Sequence, residues 1–350
     1  MTIAKDVTVA EPDVLAGRLS DPFAIPFSEY WAAELFGYVG YFVRWLTPDT
    51  GQFLSNFAGS FPDKQKLVHT HPGKDSIIVF LEGEADFLIG GQQRVKAKPG
   101  DVLLSPGGRP HGIQNTGKNV CRWIYMEGPL PLTTAFPTCE CTLYPLADPS
   151  NPITGGAVGS FGRTGNSNIF AAGGPVTRSD AEWEDKEPGG DWLREPGLFP
   201  KLPGDVTGRL FNHVPGRTFS ALEVDGQVQL GAGFSSRVHI PAYEQAQLCV
   251  VTHSVTGELP LHRYSGADQV MVVLDGEADF MWSPSDGGPV EHRELHSGMV
   301  AFVVNGESYG VRNRGDRPVR LVSVVGPVTP ANSEIIWPQG EQRGDLTTLS

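Results

Sequence analysis

Apolar residues in this chain fall in short runs broken by turn formers, with little helical spacing. From Ser76 to Glu82 (Ser-Ile-Ile-Val-Phe-Leu-Glu) both alternating sets are apolar, the pattern of a strand covered on both faces. Gly83, the Gly90-Gly91 pair and Pro99-Gly100-Asp101 punctuate the pattern as turns. Short strands at turn-separated intervals predict a sandwich or barrel. Helix is expected only near Pro26–Leu35 and around Arg178–Asp185.

The pattern occurs twice. Phe80–Phe87, FLEGEADF, returns as Val273–Phe280, VLDGEADF, and His69 stands to Gly83 as His262 stands to Gly276. Downstream, Pro99–Asn115 (PGDVLLSPGGRPHGIQN) matches Ser297–Asn313 (SGMVAFVVNGESYGVRN), after a hairpin that is longer in the second copy. Two alignable blocks in the same order indicate a duplicated domain. The expected organisation is a first domain over residues 1–130, a connection over 131–214 and a second domain over 215–350. The connection is dense in Pro, Gly, Ser and Thr and carries an acidic section, Asp180–Asp191. A segment that long calls for some order of its own, for example near Asn168–Ala172.

Composition narrows the function classes. With Gly 43 and Pro 29 in 350 residues, turns are abundant, in keeping with many short strands. A net charge of −13 leaves no excess cation to neutralise phosphates, so nucleic acid is not expected as a partner. No apolar run is long enough for a signal peptide or a membrane span, so the expected setting is cytoplasmic. Of the four Cys, Cys121 and Cys249 lie in apolar runs and read as buried core thiols. Cys139 and Cys141 form a C-x-C without a second pair, a weak metal signal. No Ser-His-Asp arrangement or phosphate-binding Gly loop is present.

The sharpest chemical signal is His69-x-His71 with His111 farther on. Side chains at i and i+2 of a strand share a face, so His69 and His71 can reach one cation, and the turn Pro106-x-Gly108 can bring His111 in from a neighbouring strand. Neutral imidazoles suit Fe, Zn, Cu, Ni and Mn. The blander reading of such residues is as surface or core histidines.

These blocks resemble the two motifs of the cupin superfamily. The second motif is met by Gly100, Pro106, Gly108, His111 and Asn115, the first by His69, His71 and Gly83. The first departs at Asp63, where the family has Gly, and at Ser76, where it has its Glu ligand. The resemblance implies an all-β bicupin, two jelly-roll β-barrels from an internal duplication. In the second copy the matching positions are His262, Tyr264, Gln269 and Tyr309, a degenerate set that implies a lost metal. With Ser76 a poor ligand, the implied site is three neutral imidazoles. Asp75 is an alternative carboxylate that the strand pattern turns away from the others.

A bicupin with three His and no Glu looks like the gentisate, salicylate and hydroxynaphthoate ring-cleaving dioxygenases and, less closely, the quercetin dioxygenases. That likeness implies one divalent metal, most often Fe(II), with Cu, Ni, Mn or Zn as alternatives. Its substrates would be O2 and a small chelating hydroxylated aromatic or enolic molecule, cleaved at a C–C bond. Two other classes stay open: a non-oxidative metal cupin (isomerase, lyase or decarboxylase) and a non-catalytic binding bicupin. Arg122, Gln114 and Arg109 are candidate substrate-holding groups. Ile78 and Phe80 share the Ser76 face and serve as pocket wall or as plain core. The doubly apolar strands also hint at barrel-to-barrel or subunit packing, hence a homo-oligomer.

Overall fold

The computed structural model describes residues 19–20, 31–32, 41–46, 54–62, 65–70, 75–89, 93–105, 111–128, 141–143, 159–161, 217–223, 227–239, 248–264, 266–285, 287–326, 334–336 and 344–345. Among them every regular element is a strand. The chain divides into two compact units, one of Met1–Glu11, Phe27–Trp45 and Asn56–Phe219, the other of Pro12–Pro26, Leu46–Ser55 and Ser220–Ser350.

Each unit is built from a seven-stranded and a six-stranded sheet. In the first, the larger sheet runs in the order Arg217–Ser220, Asp101–Ser105, Asp75–Glu82, Cys121–Gly128, Leu54–Ser60, Tyr41–Trp45, Trp31–Ala32. The smaller runs Gly159–Phe161, Cys141–Leu143, Gln65–Thr70, His111–Asn115, Ala85–Ile89, Gln93–Ala97. The second unit repeats both orders. Its larger sheet is Leu19–Ser20, Val300–Val303, Asp268–Asp275, Val319–Gly326, Cys249–Val255, Phe234–Val238, Val228–Gly231, and its smaller sheet starts Glu291–His296, Glu277–Ser283, Ser308–Asn313, Glu258–Tyr264. The duplication seen in two sequence blocks therefore extends to the strand order of both sheets.

The outermost strand of each larger sheet comes from outside the repeated block. Leu19–Ser20 pairs with Val300–Ala301 of the second unit, and Arg217–Ser220 lies beside Asp101–Ser105 of the first. Trp31–Ala32, where a helix was expected, instead pairs with Phe42–Val43 as a strand. A hydrogen-bonding sheet edge decides the conformation of these residues against their local tendency. The Arg178–Asp185 and Asn168–Ala172 expectations lie outside the described residues. Of the expected connection, Cys141–Leu143 and Gly159–Phe161 are sheet strands, the first paired directly with Gln65–Thr70.

The doubly apolar runs are covered on both faces, as their composition requires. Asp75–Phe80 and Asp268–Val273 are buried throughout. Phe80 meets Phe87 edge-on at 6.1 Å in one barrel, and Phe280, Tyr309, Val311 and Leu321 join one cluster in the other. Gly83 has φ 93° and Gly276 φ 98°. A Cβ at either would sit 2.8 Å from Cys121 Cα or 2.9 Å from Val319 Cα, so the turn before each hairpin admits only glycine. The motif asparagines act alike. Asn115 Nδ2 donates to Ser60 O and Asn119 O, both at 2.8 Å, and its Oδ1 accepts from Gly117 N at 2.9 Å. Asn313 Nδ2 donates to Arg317 O and its Oδ1 accepts from Gly315 N, both at 2.9 Å. Each ties a loop to its barrel.

Candidate metal centre

The first barrel brings the two histidine blocks together through its smaller sheet. His111 opens the strand His111–Asn115 and is the direct register partner of His69, on Gln65–Thr70. Directly opposed residues in antiparallel strands carry their Cβ atoms about 5 Å apart. The register slips between His111 and Ile113, marking a bulge of the kind that re-aims a side chain at a site. His111 is 1% exposed. His71 lies outside the described residues, as does the side chain of His69.

The facing sheet supplies the other wall. On Asp75–Glu82, Ser76, Ile78 and Phe80 are all buried, and their partners on Cys121–Gly128 are Glu127, Tyr125 and Trp123. The Tyr125 ring stacks on that of His111, 6.2 Å between centroids and 20° between planes. Tyr125 Oη donates to Glu127 Oε2 at 3.1 Å, and Ser76 Oγ lies 3.1 Å from the same phenol oxygen. Because the phenol proton serves Glu127, the serine hydroxyl is the donor to Tyr125. Ser76 is flanked on its other side by buried Ser105. A line of buried polar groups, Ser105–Ser76–Glu127, thus crosses three strands of the larger sheet. Burial of this kind is costly without partners and is found where a site requires it.

Glu127 is 1% exposed, and sequence reasoning passed over it. The signal was present: Trp123, Tyr125 and Glu127 alternate on one face of an apolar run, and a carboxylate ends it where the second copy has Val325. Asp75 is also buried, one position before Ser76 and opposite Gly128.

The weaker candidates separate. Arg122 is part-exposed and forms an ion pair with the exposed Glu82, so its guanidinium faces out of the barrel. Gln114 alternates with buried Ile113 and stands opposite Asp86, on the face away from His111. Neither is brought to the histidines. Arg109 lies outside the described residues. Ile78 and Phe80, both fully buried, lie directly opposite Tyr125 and Trp123. Cys121 is buried, as expected, and desolvation pushes its thiol up to about 12. Cys249, also buried, has its thiol pushed up for the same reason.

The second barrel holds a closed polar plug at the matching place. His262 and Tyr309 are register partners with ring centroids 4.3 Å apart. Gln269 Nε2 donates to Tyr309 Oη at 2.6 Å and to Ser323 Oγ at 2.8 Å. Burial drives the His262 imidazole down to about 4 and the Tyr309 phenol up to about 12. His253, hydrogen-bonded through Nδ1 to Ser236 Oγ at 2.7 Å, is driven to about 3 by burial and by the neighbouring His262. The Gln269 amide ties the Tyr309 and Ser323 hydroxyls together beside these neutral rings, which suits a structural core.

Comparison with known proteins bears out the fold. Residues 61–127 match the family model of the cupin domain. No curated protein gives a significant match to the sequence. Among solved structures, one of oxalate decarboxylase concerned with its substrate binding mode and reaction specificity aligns over 91% of this chain and 79% of that one, with 15% identity and a TM-score of 0.50. One of the Bacillus subtilis oxalate decarboxylase, concerned with its Mn(II) centres, aligns over 91% and 79% with 16% identity and a TM-score of 0.50. At such identity the likeness bears on the fold alone. These neighbours are decarboxylases, whereas the sequence motifs suggested ring-cleaving dioxygenases. With a cupin-domain match over residues 61–127 and two jelly-roll barrels of the same strand order, the chain has the bicupin fold.

Proposed function

We propose that the chain is a metal-dependent enzyme whose first barrel binds one divalent cation through His69, His71 and His111. There it acts, without consuming O2, on a small chelating anion, as an isomerase, lyase or decarboxylase. The observation that carries this reading is the buried row Ser76–Tyr125–Glu127 stacked against His111. The expectation of a dioxygenase rested on a site without a carboxylate, and a buried Glu127 directly opposite Ser76 weighs against that premise.

A divalent cation bound there supplies Lewis-acid polarisation of the substrate's oxygens. The protein's own part is to hold the anion and manage a proton. The Tyr125 phenol accepts from Ser76 and donates its one proton to Glu127, so a proton passing through it travels along the row Ser76–Tyr125–Glu127. Ile78, Phe80 and Trp123 wall the site with apolar surface and exclude water. An imidazole-plus-oxygen donor set suits Mn(II) as well as Fe(II), so both are the cations to test first.

Oxygen-dependent C–C cleavage is the second reading, favoured by Ser76 itself, which takes the carboxylate off the strand that usually bears it. Turnover under argon decides between them. The panel is dicarboxylates and hydroxy acids beside hydroxylated aromatic acids, flavonols and β-diketones, with metal content measured on the same protein. Product formed without O2 supports the first reading, and turnover that needs stoichiometric O2 uptake supports the second. A purified protein that binds no metal, or an H111A variant with unchanged metal and activity, refutes both.

A further inference from the structure

We propose that Glu127 supplies to the first barrel's cation the carboxylate that Ser76 withdraws, so that the ligand has moved to the neighbouring strand. The inference rests on the three-histidine reading above and adds a ligand to it. Three observations carry it. In register, Glu127 is the direct partner of Ser76, so a side chain from its Cα reaches the region that a longer residue at position 76 would occupy. The carboxylate faces the histidine wall, because Tyr125, which donates to Glu127 Oε2 at 3.1 Å, is the ring stacked on His111.

The third observation is a comparison within the chain. In the second barrel the pair equivalent to Ser76 and Glu127 is Gln269 and Val325, again direct register partners. There the histidine positions hold His262, Tyr264 and Tyr309, and no carboxylate stands on the Val319–Gly326 strand. This strand carries a buried carboxylate in the copy that keeps three histidines and none in the copy that keeps only His262. Charge gives the reason. Neutral imidazoles leave the full double charge of a cation inside a low-dielectric barrel, and one carboxylate halves it. A carboxylate has about four lone-pair sites. The bond from Tyr125 to one of its oxygens fixes the carboxylate's orientation.

The test uses the full chain, stripped of metal and titrated with Mn(II) and Co(II). Bound metal is read by equilibrium dialysis, and the ligand field by Mn(II) EPR and Co(II) absorption. The set is wild type, E127Q, S76E/E127Q and H111A. The expected result is an affinity loss of about 100-fold or more in E127Q, with a changed ligand-field spectrum. In S76E/E127Q, where the carboxylate returns to its usual strand, affinity is expected within about tenfold of wild type. Affinity and spectra unchanged in E127Q, or a loss in E127Q that S76E/E127Q does not recover, overturns the inference. H111A separates the two levels. If H111A loses the metal while E127Q keeps it, only the role of Glu127 fails. If H111A binds as wild type does, the histidine site fails as well.

Discussion

Lowering the pH from 7 to 5 is expected to loosen the second barrel through His253 and His262. Both rings are buried and neutral in the folded state, held down to about 3 and about 4, first by desolvation. The Pro260 and Tyr309 backbone bonds offset part of this at His262. An unfolded histidine titrates near its ordinary value of about 6.5. Above that value neither state binds the proton and the pair is neutral in its effect. As pH falls below it, the unfolded chain takes up protons that the folded barrel refuses. Stability then drops by about 1.4 kcal/mol per pH unit for each ring, until the folded values are reached. Between pH 7 and 5 the loss is about 2 kcal/mol per histidine and about 4 kcal/mol for the pair. The other titratable groups beside them, Tyr264, Tyr309 and Cys249, are pushed upward by burial and stay neutral across this window. Hydrogen exchange of the amides in Cys249–Val255 and Glu258–Tyr264 reads this barrel alone. After correction for intrinsic exchange, protection in wild type is expected to fall about a thousandfold, against a much smaller change in H253Q/H262Q. Equal losses in the two proteins would refute the assignment of buried neutral imidazoles.

Three further outcomes follow from the geometry. Y125F removes the hydroxyl between Ser76 and Glu127; it is expected to cost about 1–3 kcal/mol in urea denaturation and to lower kcat more than it raises KM. G83A meets both a positive φ and a backbone contact, and a loss of about 2 kcal/mol or more is expected by the same assay, with G276A behaving alike in the other barrel. R122A breaks a part-exposed ion pair with Glu82; stability within about 1 kcal/mol of wild type and unchanged turnover are expected, and a large loss of turnover would return Arg122 to the site.

Much of the fold was legible because its signals are local. The doubly apolar Ser76–Glu82 run, the glycines and the duplicated blocks each reflect residues close in sequence, and the strand order of both sheets agrees with them. What stayed hidden depends on pairing between distant segments. Ser76 and Tyr125 are 49 positions apart, and only the cross-strand register shows that Glu127 faces the gap left by the absent carboxylate. The facing of Arg122 and Trp123 was open for the same reason, since alternation gives the period of a strand and not its phase. Trp31–Ala32 and Leu19–Ser20 are two-residue pairings, too short to leave any periodicity.

The two borrowed edge strands set an order on synthesis and a limit on dissection. A ribosome must pass residue 220 before the first barrel can complete its larger sheet, although the rest of that sheet has long since emerged. The strand that closes the second barrel's sheet is made before either repeated block and waits for Val300–Val303 to arrive. Cutting the chain between its copies would give two fragments, each carrying the other's missing strand and each exposing an open hydrogen-bonding edge. Such fragments are expected to be aggregation-prone alone and to reassociate when mixed, each repairing the other.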